Sequence, residues 1–363
     1  MPPRNVLAVR FVTRKWPPAV GGMETYSKRL TDLLGAKCDL DVVALTGRAD
    51  GSAPSPRQIV GFGIRSFFAL AFARPPVDVT HVGDMASWPL GVAARLRSRR
   101  TQVVLSAHGT DVSYPARGGL KSRLYGAYLK LAHRLLPGAI VLANSGVTAG
   151  AVRGFGFNDV RIVPLAADTC PIDPPPFPDP TLLFAGRLVK RKGLGWFVEN
   201  VLPRVPEPLR LEVAGTVWTE AEARALQHPR VDFLGPLPQD ELAGKYASAL
   251  CVVVPNIDTG IGEFEGFGLV ATEAAASGAV VLASAIDGLC EALVDGETGF
   301  HLPAGDTDAW AAKIAEVAEW DPADRAAFLG TARAVSQSRY SWDRVADETF
   351  AAYPGSGTGT PAA

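Results

Sequence analysis

Two series of short apolar runs, separated by helical stretches, constrain this chain more than any other feature. The first series reads RNVLAVRFV, DLDVVALTG, VDVTHVG, TQVVLSAHG, AIVLANS and VRIVPLA; the second reads TLLFAGRL, LRLEVAG, VDFLG, ALCVVVP, AVVLAS and GFHLP. Strand-length apolar runs that alternate with helices predict parallel, doubly wound sheets. Between the series lies Pro164 to Pro180, including PIDPPPFPDP, where proline removes backbone donors and forbids a helix or a central strand. The expected chain is therefore α/β, with two Rossmann-like domains facing a central cleft: residues 1–165, a proline-rich linker at 166–180, and residues 181–335. A last helix is expected within 336–353, and the tail 354–363, PGSGTGTPAA, is too polar and glycine-rich to order. At 363 residues the chain exceeds one ordinary core, in keeping with two domains.

Charge divides the chain along the same line. Residues 1–165 carry 22 Lys and Arg against 9 Asp and Glu, a balance of +13; residues 166–363 carry 14 against 28, a balance of −14, and the two recover the net charge of −1. Either the basic half faces something anionic (a membrane surface, a phosphorylated acceptor or nucleic acid) or it attracts the acidic half across the cleft. Arg57, Arg65 and Arg74 surround the apolar run FFALAFA. Lys121, Arg123, Lys130 and Arg134 lie on a helical stretch whose other face carries Leu120, Leu124, Leu131 and Leu135. Such a helix can lie on an anionic membrane; the alternative packs the leucines on the sheet and turns the cations to water. The longest apolar stretches run to about ten residues, too short to span a bilayer, and the N-terminus MPPRNVLAVRFV leads into a strand instead of a secretion signal. Cys38, Cys170, Cys251 and Cys290 have no C-x-x-C spacing and read as buried thiols in a reducing cytoplasm.

The stretch richest in chemistry is Gly262 to Glu273, GEFEGFGLVATE. The run ALCVVV ends at Pro255-Asn256, and LVATEAAASG reads as a helix, so the unit is strand, loop and helix. Ligands of open α/β sheets sit at the carboxyl ends of strands, and a glycine-fronted helix start offers N–H groups to an anion. Glu265 stands before the helix and Glu273 about two turns along it; eight residues bring it to about 80° past two full turns, on the same side. Two acceptors flanking those amides suit the hydroxyls of a sugar and of a ribose on either side of phosphate, the groups of a nucleotide-sugar. The bland alternative is a solvated Glu265 and a helix-face Glu273.

Three further motifs stand at strand ends. Arg187 and Lys192 follow TLLFAG, with Lys190 and Arg191 between them; fixed cations there neutralise charge that grows on a diphosphate leaving group, though a run of cations also fits a solvated turn. Gly21 and Gly22, in PPAVGGME, let the backbone approach a ligand at the start of a helix. His108 and Asp111, in HGTD, follow a further strand and so face the same edge. No G-x-G-x-x-G occurs, which disfavours a dinucleotide dehydrogenase. The triplets Asp39-Leu40-Asp41 and Asp306-Thr307-Asp308 read as a strand start and a helix cap, and no metal site is expected.

In this order and at these separations, PPAVGGME, HGTD, GRLVKRKG and EFEGFGLVATEAAASG resemble the large retaining glycosyltransferase family 4, with the GT-B fold, over nearly the whole chain. The resemblance implies that Glu265 and Glu273 are the family's E-x7-E pair, the first on the donor sugar and the second on the ribose. It implies that Arg187 and Lys192 grip the diphosphate, that Gly21 and Gly22 approach phosphate or sugar, and that His108 lies beside the sugar. The expected catalytic set is thus His108, Arg187, Lys192 and Glu265. Gly21, Gly22, Arg187, Lys192, Glu265, Gly266, Phe267, Gly268, Leu269 and Glu273 bind the donor, and Asp111 stands on the acceptor side. Transfer would retain anomeric configuration without metal or other cofactor, by front-face attack with the leaving phosphate as base. The final helix would cross back onto the first domain. Expected partners are a nucleotide-sugar, UDP before GDP, and a sugar, growing-glycan or lipid-linked acceptor, not nucleic acid; the expected place is the cytoplasm, with peripheral contact at the inner face of an anionic membrane as a further reading. A GT-B sugar-nucleotide epimerase and a non-catalytic nucleotide-sugar binding protein are the alternatives. The chain departs from the family pattern in a longer Pro255–Glu265 loop, in Asn256 where serine is commoner, and in Asp287-Gly288 where many members have two glycines, all of which bear on sugar specificity.

Overall fold

The structure is a computed structural model that describes residues 6–19, 21–168, 172–175 and 177–356. Cys170 and the tail from residue 357 onward lie outside the described residues, as do Val20 of PPAVGGME and the first residues of MPPRNVLAVRFV. The chain divides into two compact units, one of residues 1–165 with 342–363 and one of residues 166–341.

All the apolar runs form strands. In the first unit they are β1 Ala8–Trp16, β2 Asp39–Thr46, β3 Val79–Val82, β4 Gln102–Ala107, β5 Ile140–Ala143 and β6 Asp159–Ile162, paired in the order β2-β1-β3-β4-β5-β6. In the second they are β7 Asp179–Ala185, β8 Arg210–Ala214, β9 Val231–Gly235, β10 Ala249–Val254, β11 Val281–Ser284 and β12 Phe300–Leu302, in the order β12-β11-β10-β7-β8-β9. Every pairing is parallel. The central strands β3, β5, β10 and β11 are buried at every residue because helices cover both faces, which is why they read as unbroken apolar runs. Chain direction across the sheet reverses between β1 and β3 in one unit and between β7 and β10 in the other, and at such switch points the loops splay apart and leave a crevice.

Two boundaries and the burial of one cysteine differ from the sequence expectation. The proline-rich segment is not a free linker: Arg333 donates to Asp173 Oδ1 at 3.1 Å and to the Ile172 carbonyl at 2.7 Å, which packs it on the second unit, and β7 already begins at Asp179. The expected helix at 336–353 is broken at Tyr340 and Ser341, between helices Pro322–Arg339 and Trp342–Ala351. Cys38 and Cys251 are buried, but Cys290 is exposed, because it sits on the short turn Leu289–Ala292 at the surface.

The Trp342–Ala351 helix belongs to the first unit, and a buried polar chain ties the residues after it to the sheet. Tyr353 Oη lies 2.7 Å from His81 Nδ1, His81 Nε2 lies 2.7 Å from Ser106 Oγ, and Ser106 lies 2.9 Å from Tyr26 Oη. Each group has its partner, so the chain avoids the penalty of a bare buried polar atom. Burial, helped by nearby His108, pushes the His81 imidazole down to about 3 from 6.5. The folded state therefore stays neutral where the unfolded chain takes up a proton, so the stability that His81 contributes is complete above pH 6.5 and is lost as pH falls towards 3. Across that window unfolding free energy should fall by about 1.4 kcal/mol per pH unit from this residue. Chemical denaturation between pH 7 and 4 should show a shallower acid loss in His81→Gln than in the wild type; equal slopes would remove His81 from the account.

Candidate functional site

The switch point of the second unit holds a cluster of charge. The loop after β7 carries Arg187, Lys190, Arg191 and Lys192, and the loop after β10 carries Asn256 and Glu265. Glu265 Oε2 lies 2.5 Å from Arg191 Nη1, 2.6 Å from Lys192 Nζ and 3.2 Å from Asn256 Nδ2. Burial raises the Glu265 carboxyl, but Lys192 and Arg191 outweigh it and hold the group down at about 2. Lys192 is shifted down: burial disfavours its charge, and Glu265 is only a partial offset because Arg191 and Arg187 add like charge. One carboxylate is thus shared between Lys192, Arg191 and Asn256.

Glycine lets the two loops meet. Gly193, at φ 73°, sits where a Cβ would lie 1.9 Å from the Pro255 carbonyl oxygen, so the turn that holds Lys192 closes directly on the β10 loop. Gly288 packs where a Cβ would lie 2.4 Å from the Gly266 oxygen, and its N–H donates to the Glu265 carbonyl at 3.0 Å. Asp287, at φ 53°, turns its carboxylate to accept from the Glu265 N–H at 3.0 Å. The Glu265 side chain is therefore aimed by its own backbone on both sides.

The helix after this loop begins at Leu269, where the run LVATEAAASG placed it, but Glu273 lies about one turn along it instead of two. Residues 265–268 are not helical, and Gly268 takes φ 97° ahead of the helix Leu269–Ala276. The 100° spacing rule therefore does not relate the two glutamates. Glu273 instead faces Asp168 and Gln239; burial first, then the Asp168 carboxylate, push it up to about 7 against the Gln239 hydrogen bond. No side chain caps the Leu269 helix. Phe267 is a core residue, 2 % exposed and edge-on to Tyr340 at 6.3 Å. Arg187 stands over the Trp218 ring at 5.2 Å.

In the first unit the sequence candidates also gather at strand ends. Gly21 precedes the helix Gly22–Leu34, which has no side-chain cap, and Glu24 in its first turn pairs with Lys15 at 3.2 Å. Tyr26 of that helix meets the His108 ring edge-on at 4.6 Å. His108 Nε2 donates to the Gly83 carbonyl at 2.9 Å, which assigns the proton to that nitrogen. Both Asp111 oxygens accept backbone N–H groups, of His108 at 2.9 Å and of Met85 at 3.1 Å, so Asp111 clamps the loop. The triplet aspartates have the bland roles expected: Asp41 pairs with Arg10 and Arg74, and Asp306 caps the Thr307–Ala318 helix.

Sequence reading missed Arg191 and Asp287. The run of cations concealed which of them turns inward, and the Asp-Gly pair carried a turn signal, since aspartate tolerates the left-handed region. Asn256 was noted only as a departure; its Nδ2 donates to Glu265, and its Oδ1 is buried with no hydrogen-bond partner among the described residues.

Two doubly wound units, the second with a cation and carboxylate cluster at its switch point, make this a GT-B glycosyltransferase fold. Sucrose-phosphate synthase from Thermosynechococcus elongatus superposes with TM-score 0.72 at 21% identity, over 95% of this chain and 98% of that one. HepE of Anabaena, in complex with UDP and glucose, superposes with TM-score 0.67 at 17% identity, over 95% and 100%. In sequence, residues 20–170 match the model "Glycosyltransferase Family 4" and residues 179–319 match "Glycosyl transferases group 1". Alpha-maltose-1-phosphate synthase of Mycolicibacterium smegmatis is 26% identical over 96% of this chain and 99% of its own length. A D-inositol 3-phosphate glycosyltransferase of Kribbella flavida is 32% identical over 63% of this chain and 52% of its own. The chain belongs to the family 4 glycosyltransferases.

The Glu273 environment carries a measurable consequence. Its folded value of about 7 lies above the ordinary 4.5, so the folded state holds a proton that the unfolded chain releases between those values. Its contribution is complete below pH 4.5 and is lost as pH rises through 7. Glu273→Gln, neutral throughout, should melt higher than the wild type at pH 8 and level with it at pH 5. A constant difference across that range would count against a strained carboxylate.

Proposed function

We propose that this chain is a retaining glycosyltransferase that moves a hexose from a nucleotide-sugar, UDP before GDP, to an acceptor with a lipid-linked or otherwise anionic part, without metal or other cofactor. The observation that carries the reading is the Lys192, Arg191 and Glu265 cluster at the β7/β10 switch point. A donor diphosphate brings negative charge to cations that a single carboxylate shares, and the growing charge on the leaving phosphate is stabilised by groups already in place. Arg191 joins Lys192 in that role, and Arg187, over Trp218, stands on the same loop. With its cations drawn to phosphate, Glu265 is freed to accept a sugar hydroxyl, and the Oδ1 of Asn256 can accept another. Gly266, Gly268 and Leu269 present the uncapped helix start to phosphate, and Glu273 holds the ribose. In the first unit Gly21, Gly22 and His108 approach the sugar, and Asp111 acts by fixing the His108 loop on the acceptor side. Front-face attack, with the leaving phosphate as base, would keep the anomeric configuration.

The acceptor reading rests on the first unit's surface. On the helix Gly119–Leu135 the leucines do not pack on the sheet: Leu120, Leu124, Leu131 and Leu135 are 44 to 72% exposed, while Ser122, Gly126, Leu129 and Ala132 are buried. Lys121, Arg123, Lys130 and Arg134 are exposed among them. The helix Pro56–Phe68 and the turn Ala69–Ala73 expose Val60, Ile64, Phe68 and Phe72 in the same way. Apolar side chains set among cations suit the interface of an anionic membrane, each nearby cation adding about 1 kcal/mol. No helix among the described residues is long and apolar enough to cross a membrane, so contact at the cytoplasmic face would be peripheral.

Nucleotide release from UDP-glucose and GDP-sugars, with the anomeric form of the product read by NMR, tests the reaction and its donor. Lys192→Ala should lower kcat about 100-fold, because one preorganised donor to developing charge is worth roughly 3 kcal/mol; near-normal turnover would displace the cluster from catalysis. Turnover should survive EDTA, and loss restored by manganese would contradict a metal-free site. Co-sedimentation should show binding to anionic but not neutral liposomes at low salt and its loss at high salt; negligible binding to both would leave a soluble acceptor.

A further inference from the structure

The first unit contains a cavity of about 530 Å³ at its own switch point, a size within the roughly 300 to 1,000 Å³ of small-molecule sites. One wall is the Pro56–Phe68 helix, with Ile59, Phe62, Gly63 and Phe67; the floor is Ala86, Ser87, Pro89 and Leu90, just beyond β3. Tyr125 and Tyr128 of the Gly119–Leu135 helix and Arg14 at the end of β1 complete it.

Most of the polar groups around this cavity are already engaged. Arg14 Nε bonds both carboxylate oxygens of buried Asp84 at 3.2 Å, and Asp84 also accepts from Ser87 Oγ at 3.0 Å. Tyr128 Oη donates to the Ala86 carbonyl at 2.6 Å, and Tyr125 Oη donates to the Asp111 carbonyl at 2.9 Å. What remains for an occupant is aliphatic side chains, ring faces and the terminal amino groups of Arg14. A sugar placed here would lose more hydration than one guanidinium replaces, whereas a hydrocarbon chain loses nothing. The wall side chains Val60, Ile64 and Phe68 are themselves exposed, so the cavity continues into the apolar surface outside. On the same helices Arg57, Arg65, Lys121 and Arg123 are exposed to solvent. Their charge complements an anionic headgroup attached to such a chain.

We infer that this cavity takes one hydrocarbon chain of an anionic, phosphate-bearing lipid acceptor. The assignment deepens, and rests on, the reading of the first unit as the acceptor-binding half. It also links chain to chemistry: Tyr125 bonds the Asp111 carbonyl, and Asp111 holds the His108 loop, so chain and sugar would be held on one set of contacts.

Gly63 supplies a clean probe. It lies within a helix and in the cavity wall, yet a Cβ added there meets no atom within 4 Å, so a larger side chain enters open space. Gly61, on the same helix, is equally unobstructed but does not line the cavity. The full chain should be titrated calorimetrically with hexyl phosphate, decyl phosphate, decyl maltoside and inorganic phosphate below any micelle concentration, with UDP titrated in the same preparations. Decyl phosphate should bind at least tenfold tighter than hexyl phosphate, since each buried methylene is worth about fourfold. Decyl maltoside should bind more weakly, and inorganic phosphate should not displace decyl phosphate. Gly63→Leu should weaken decyl phosphate at least tenfold without lowering the thermal midpoint, while Gly61→Leu leaves its affinity unchanged. Absence of decyl phosphate binding in the wild type, no dependence on chain length, or equal affinity in wild type and Gly63→Leu would overturn the assignment. UDP affinity separates the causes: if it persists while decyl phosphate fails to bind, the cavity reading alone is wrong, and if UDP fails too, the transferase reading falls with it.

Discussion

The second unit depends on how a buried carboxylate, Glu265, is shared between Arg191, Lys192 and Asn256. The pairing joins two loops that are distant in sequence but adjacent at the sheet's switch point, so a single electrostatic contact organises the crevice the topology provides. Attraction prevails over burial for the carboxylate and not for Lys192. Two cations and one carboxylate therefore share a single set of contacts.

The backbone around that carboxylate is equally specified. Gly193 and Gly288 each occupy a place where a Cβ would collide with main-chain atoms of the neighbouring loop, and Asp287 supplies an acceptor from a left-handed position. Aspartate in that region costs conformational energy, which its bond to the Glu265 N–H helps to offset. The carboxylate also adds a negative group beside the cluster. Glu273 meets the opposite condition: burial and Asp168 favour its neutral form, which can donate as well as accept a hydrogen bond.

The first unit shows two uses of burial. Within the sheet layer, Tyr353, His81, Ser106 and Tyr26 pair in series and hold Tyr353 beside strands far from it in sequence. Around the cavity, Arg14 pairs with Asp84 while Tyr125 and Tyr128 donate to main-chain carbonyls, which leaves a mostly apolar lining. Pairing of buried polar atoms thus ties the chain together in one place and lines a hollow in the other.

Much of the architecture was legible from residues alone. The central strands were visible because strands covered on both faces must be apolar throughout, and the glycine and proline punctuation separated them. That Lys192 and Glu265 stand at the same sheet edge followed from their places after apolar strands; that those strands are neighbours came only from the sheet order. Sequence could not say which cation of the Lys190 to Lys192 run turns inward, nor that the non-helical turn at 265–268 takes Glu273 away from the side of Glu265, since both depend on contacts made across the fold. Nor could it tell whether Leu120, Leu124, Leu131 and Leu135 pack inward or face out. Periodicity marks a helical face, but only the packed neighbours decide which face the sheet covers, and here Gly126, Leu129 and Ala132 take the inner side.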